Sequence, residues 1–111
     1  MDEDRALMAE DLIRQAMVNF KEAGNSEGMA EAYFAYGSLY KHNTYHKHSA
    51  TFKKWGTYDG SYNKSIRNFE DAVGKFEEAG SEIGAVKSLA GIGEAYNLKN
   101  EDVAACGYYA K

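Results

Sequence analysis

From Asp4 to Ala23 the apolar residues fall at Leu7, Met8, Leu12, Ile13, Ala16, Met17 and Phe20. Steps of one, three and four place them on one face of a helix, which predicts a helix over 4–23. Gly24 follows, a residue that ends helices by adopting the left-handed conformation. Asn25 or Ser26 then caps a second helix with Met29, Ala32, Tyr33, Tyr36, Leu39 and Tyr40 inward. The same seam continues through Tyr45, His48, Phe52 and Trp55, so that helix is predicted to run over 26–54. Tyr58 and Tyr62 lead into a third stripe of Ile66, Phe69, Ala72, Val73, Phe76 and Ala79, predicting a helix over 61–79 closed by Gly80. Ser81 caps a fourth over 81–98, with Val86, Leu89, Ile92, Ala95 and Tyr96 expected to face inward. Asn100 opens a fifth over 101–110 through Val103, Cys106 and Tyr109. No proline interrupts any of them. The pattern is that of a single all-α domain.

The chain also says one piece twice. Residues 16–40 and 72–96 align at an offset of 56, and eight of the 25 pairs are identical. They include Ala16/Ala72, Phe20/Phe76, Gly24/Gly80, Gly28/Gly84, Gly37/Gly93 and Tyr40/Tyr96. Self-similarity at a fixed offset marks units that bury their apolar faces by stacking. Gly37, Gly93, Ala72 and Ala105 are expected where two helices cross closely, with aromatics filling the space beside them.

The blocks Tyr33-x2-Tyr36-Gly37-x2-Tyr40 and Leu89-x2-Ile92-Gly93-x2-Tyr96, with Ala16-x3-Phe20, Ala72-x3-Phe76 and Ala105-x3-Tyr109, resemble the tetratricopeptide repeat family. That resemblance implies antiparallel helix pairs stacked as a short superhelix of about five helices, with a concave groove for a peptide or partner helix. Carried over position by position, the groove residues are Glu31, Phe34, Ser38 and Lys41 on one helix and Lys87, Ala90, Glu94 and Asn97 on the next. Phe34, the one large apolar residue among them, is the expected anchor. Phe34 and Ser38 stand where members that clamp a C-terminal carboxylate have their first clamp residues.

The interval from Gly37 to Ala72 is 35 residues against 12 from Gly93 to Ala105. Removing the 23 extra residues, which fall within 43–65, restores a period of 33. A structureless loop of that length is uncommon in a compact domain. The continuing seam predicts instead that this helix pair is elongated into a projecting hairpin, with a turn at Gly56 to Gly60.

Charge adds one feature. The net charge is −4, yet residues 41–67 alone carry +5, leaving −9 elsewhere. Lys47, Lys53 and Lys54 beside Trp55 offer an alternative surface for a polyanion or nucleic acid, though lysines that merely keep the hairpin solvated are weighed above it. His42 and His46 have the spacing of a two-histidine metal site, but no carboxylate or cysteine completes a ligand set, so no metal and no cofactor is expected. The single Cys106 cannot form an internal disulfide. No phosphate-cradling glycine loop and no set of acid, base and nucleophile is present in the sequence, which argues against an enzyme. The acidic start at Asp2, Glu3 and Asp4 and the lack of a long apolar run predict a cytoplasmic chain without a membrane segment. A non-catalytic protein-binding scaffold is the leading expectation. A structural homodimer through open helical ends ranks below the basic surface.

Overall fold

The computed structural model describes residues 3–104 apart from residues 55, 57, 59 and 61. The described residues are helical and contain no strand. The helices are α1 (Glu3–Ala23), α2 (Ser26–Lys41), α3 (Asn43–Lys47), α4 (Ser49–Lys54), α5 (Asn63–Glu78) and α6 (Glu82–Ala104). α2 packs against α1 on one side and α5 on another, α5 packs against α6, and α2 touches α6. The molecule measures 45 × 33 × 20 Å.

The two copies of the repeat build the same turn. Gly24 and Gly80 both take a positive φ, +65° and +76°. Asn25 N–H then donates to the Phe20 carbonyl at 3.0 Å, and Ser81 N–H to the Phe76 carbonyl at 2.8 Å. Each cap side chain accepts from the glycine three residues on: Asn25 Oδ1 from Gly28 N–H at 2.9 Å, and Ser81 Oγ from Gly84 N–H at 3.1 Å. Those glycines are also where the aromatic of the preceding helix lies. A Cβ at Gly28 would run into the Phe20 ring, and one at Gly84 into the Phe76 ring. The identities Phe20/Phe76, Gly24/Gly80 and Gly28/Gly84 are therefore one device used twice, a ring laid on a bare backbone across a tight reversal.

Phe69 is the centre of the stack. Its ring lies between Gly37 of α2 and Gly91 of α6, where added Cβ atoms would come within 2.8 Å and 2.6 Å of it. Phe34 meets it edge-on with centroids 5.5 Å apart. Buried Ser65 locks α5 to α2 at the same level by donating to the Gly37 carbonyl at 2.6 Å. Gly91, and not Gly93, is the close-approach glycine of α6, for nothing lies within 4 Å of a Cβ at Gly93. Ala105 lies outside the described residues.

The middle of the chain departs from the predicted projecting hairpin. The helix expected over 26–54 ends at Lys41, because His42 turns extended (φ −66°, ψ 141°) and its N–H bonds the Leu39 carbonyl. α3 and α4 then fold back. Tyr45 and Phe52 are fully buried in a cluster with Ala6 of α1 and Leu39 and Tyr40 of α2. Burying two large aromatics is worth about 1.5–3 kcal/mol each, more than the few backbone bonds that an uninterrupted helix keeps at the break. His46 anchors the return: one ring nitrogen lies 2.8 Å from the Tyr40 carbonyl oxygen, the other 3.2 Å from the Tyr58 hydroxyl, and Tyr62 packs 4.2 Å from the ring centre. Tyr62 itself enters α5 with a left-handed φ of +66°.

α6 differs at its far end. It runs through Asn100 to Ala104, so the cap expected at Asn100 and the new helix expected from residue 101 do not begin there. The rest of the range predicted over 101–110 lies outside the described residues, Cys106 and Tyr109 included.

Candidate functional site

The eight predicted groove residues fall on the helices expected, α2 and α6, which touch. Four of them are already engaged with one another or with the core. The Lys41 ammonium pairs with the Glu94 carboxylate across the two helices. It also stands 5.7 Å from the centre of the Phe69 ring. The Lys87 ammonium sits 4.9 Å over the Phe34 ring. Phe34 is half-buried between Phe69 and that lysine, so it packs as a wedge between α5 and α6 and does not project as an open anchor. Ser38 is half-buried beside it, while Glu31, Ala90 and Asn97 lie on the exposed surface.

The residues of the alternative basic surface lie in the segment that folds back. Lys47 lies on α3, Lys53 and Lys54 lie on α4, and all three are exposed. Lys53 stands 5.5 Å over the Tyr58 ring. Trp55 lies outside the described residues. Tyr45 and Phe52, which alternate with these lysines along the sequence, are in the core, so they offer no stacking platform. His42 lies in the break between helices and His46 is bonded on both ring nitrogens, so they share no helical face. Among the described residues no group of three or more His, Cys, Asp or Glu side chains converges on a common point. No described helix is long and apolar enough to cross a membrane.

What the sequence pattern misread is the outer face of α6. Val86, Leu89 and Tyr96, expected to face inward, are 64%, 55% and 47% exposed, and Ile83 on the same side is 78% exposed. The inward face is made by Gly84, Ser88, Gly91 and Ala95. The repeat explains the open side. On α2 the face covered by α5 comprises Ala30, Tyr33, Phe34, Gly37 and Tyr40: Ala30, Tyr33 and Phe34 pack with Ala72 and Phe76, Gly37 with Phe69, and Tyr40 lies under Lys64. At an offset of 56 these positions become Val86, Leu89, Ala90, Gly93 and Tyr96, and every one is exposed. The same helix face is filled in the first copy and open in the second. The spacing of eight identities legible in the sequence could have located this face, but nothing in the spacing tells a covered face from an open one.

Comparison with protein-family models, with curated proteins and with solved structures finds no match for this chain.

Proposed function

We propose that the chain is a non-catalytic interaction module of tetratricopeptide-like build, and that the open face of α6 receives an amphipathic helix of a protein partner. The observation that carries this reading is the line Ile83, Val86, Leu89 and Tyr96, four large apolar side chains exposed at helical spacing on one helix. Contiguous apolar surface of this kind is uncommon on a face that meets only water. Its counterpart on α2 is covered by α5, a helix with a stripe of Ile66, Phe69, Ala72 and Phe76. A partner helix with small and aromatic residues in similar alternation fits the same surface. In this reading Leu89, at the middle of the line, takes the anchor role first expected of Phe34, and Ala90 and Gly93 provide room for an approaching backbone.

The test is affinity capture from a cell lysate on the wild-type chain and on Leu89→Lys, at low and physiological salt. A discrete protein retained at both salts by the wild type and lost by Leu89→Lys supports the reading. Retention unchanged by Leu89→Lys and lost with Phe34→Ala returns the site to the α2–α6 groove. Nucleic acid that washes off with salt, and is lost when Lys47, Lys53 and Lys54 become glutamate, assigns the function to the basic surface instead.

A further inference from the structure

At the opposite side of the molecule the repeat leaves a second vacancy, this one with a measurable shape. Phe34 of α2 is the wedge between α5 and α6. It meets Phe69, whose ring rests on Gly91, packs with Ala72 and Phe76, and lies under Lys87. Shifting those five groove positions back by 56 gives Ile13, Ala16, Phe20, Glu31 and Ala35. All five line one open groove between α1 and α2, together with Leu12 and Ala32. Its walls are apolar apart from Glu31, and Leu12 is 57% exposed at its edge. The first copy of the repeat therefore holds an empty version of the site that Phe34 fills in the second.

We propose that this α1–α2 groove is a receptor for an aromatic side chain presented on a partner helix that carries a basic residue one turn away. The aromatic follows from the filled copy, where a phenyl ring occupies the equivalent space. The basic residue follows from the one change in charge. Where Lys87 lays a cation on the face of Phe34, the empty groove has Glu31, with exposed Glu27 one turn before it on α2. A carboxylate is repelled by the face of a ring and tolerated at its edge, so it leaves its attraction for a neighbouring cation. A second copy of this chain does not meet the requirement, because the residue that stands at the place of Phe34 in its own second repeat is Ala90. The site is distinct from the α6 face, and neither depends on the other.

The probes are two helical peptides with a single phenylalanine, one with lysine and one with glutamate four residues away, and a control with alanine for the phenylalanine. They are titrated into the full chain while the methyl resonances of Leu12, Ile13, Ala16 and Ala35 are followed by NMR. The expected result is ring-current shifts at these methyls with the Phe–Lys peptide, about fivefold tighter than with Phe–Glu at low salt. The control gives no shifts. Glu31→Lys, an exposed position that leaves the fold intact, reverses the preference between the two peptides, and Ala35→Leu fills the groove and abolishes the shifts. Equal affinity for all three peptides overturns the proposal. So do shifts that survive Ala35→Leu, shifts confined to Val86 and Leu89, and a failure of the Phe–Lys peptide to move the groove methyls at millimolar concentration.

Discussion

Gly37→Ala and Gly93→Ala make the same change at the same place in the repeat, and they are expected to move stability in opposite directions. Both glycines lie inside helices, α2 and α6. Replacing either with alanine gains about 0.5–1 kcal/mol from helix propensity. At Gly93 that gain stands alone, since a Cβ there has nothing within 4 Å. At Gly37 the new methyl lies 2.8 Å from two ring carbons of Phe69. The ring cannot retreat, because its other side rests on Gly91, and α5 is held at this level by the Ser65 hydrogen bond to the Gly37 carbonyl. Overpacking of a filled core costs about 1–3 kcal/mol. The propensity gain is common to both variants, so their difference isolates the packing cost at about 1–3 kcal/mol. With a urea m-value of about 1.5 kcal/mol/M, the midpoints separate by about 0.7–2 M. Urea unfolding followed by far-ultraviolet circular dichroism measures this directly. If Gly93→Ala destabilises the chain as much as Gly37→Ala, the face of α6 is covered and the account of that face is refuted.

Other consequences are smaller and independent. Asn25→Ala and Ser81→Ala each remove the side-chain acceptor of a helix cap and are expected to cost about 1 kcal/mol apiece, additively, in the same urea assay. Leu89→Lys exchanges one exposed side chain for another and should shift stability by no more than about 0.5 kcal/mol, whereas Phe69→Ala, in the buried centre, should cost about 3–5 kcal/mol. Burial raises the Tyr40 phenol pKa well above its ordinary value, and the Glu10 carboxylate it donates to raises it further; partial burial and Glu10 raise that of Tyr36. Such groups keep their protons in the folded chain while the unfolded chain begins to lose them near its phenol pKa of about 10. The stability these two tyrosines contribute is therefore constant through neutral pH and is lost as pH rises above about 10. A chain with Tyr40→Phe starts less stable by about 1.5 kcal/mol and falls less steeply, which pH-dependent urea midpoints will show.

The parts of the fold legible in the sequence are those where a local rule and a tertiary contact ask for the same residue. Gly24 and Gly80 were readable as helix ends because only a residue without Cβ takes that φ at no cost, and the structure gives both a positive φ. Phe20, Gly28, Phe76 and Gly84 stood out only as identities of the repeat; the close approaches were expected at Gly37 and Gly93, and the laying of each ring on a bare glycine emerges from the structure. The middle was not. Lys41, Tyr45, His48, Phe52 and Trp55 keep helical spacing with no glycine or proline among residues 41–54, so periodicity extends α2 past its true end. The break at His42 comes from what Tyr45 and Phe52 gain by turning back onto Ala6 and Leu39, a contact between residues far apart in sequence. The open face of α6 was misread for a related reason. The stripe of Val86, Leu89 and Tyr96 has the spacing of an inward face, and hydrophobic periodicity records which side of a helix is apolar, not whether anything covers it. Phe34 was misjudged in the other direction. Its position matched an outward one, but its ring packs T-shaped against Phe69 of α5 and is covered by Lys87 of α6.

Docking on the open face of α6 is read out by amide hydrogen exchange on the chain alone and in complex with the protein that it captures. Backbone amides exchange through local opening, and a helix docked along a face raises the cost of opening the segment it covers. A partner helix docked on α6 adds protection from Val86 to Tyr96 and leaves α3 and α4 unchanged. Added protection confined to residues 47–54, with α6 exchanging as it does in the free chain, would contradict it.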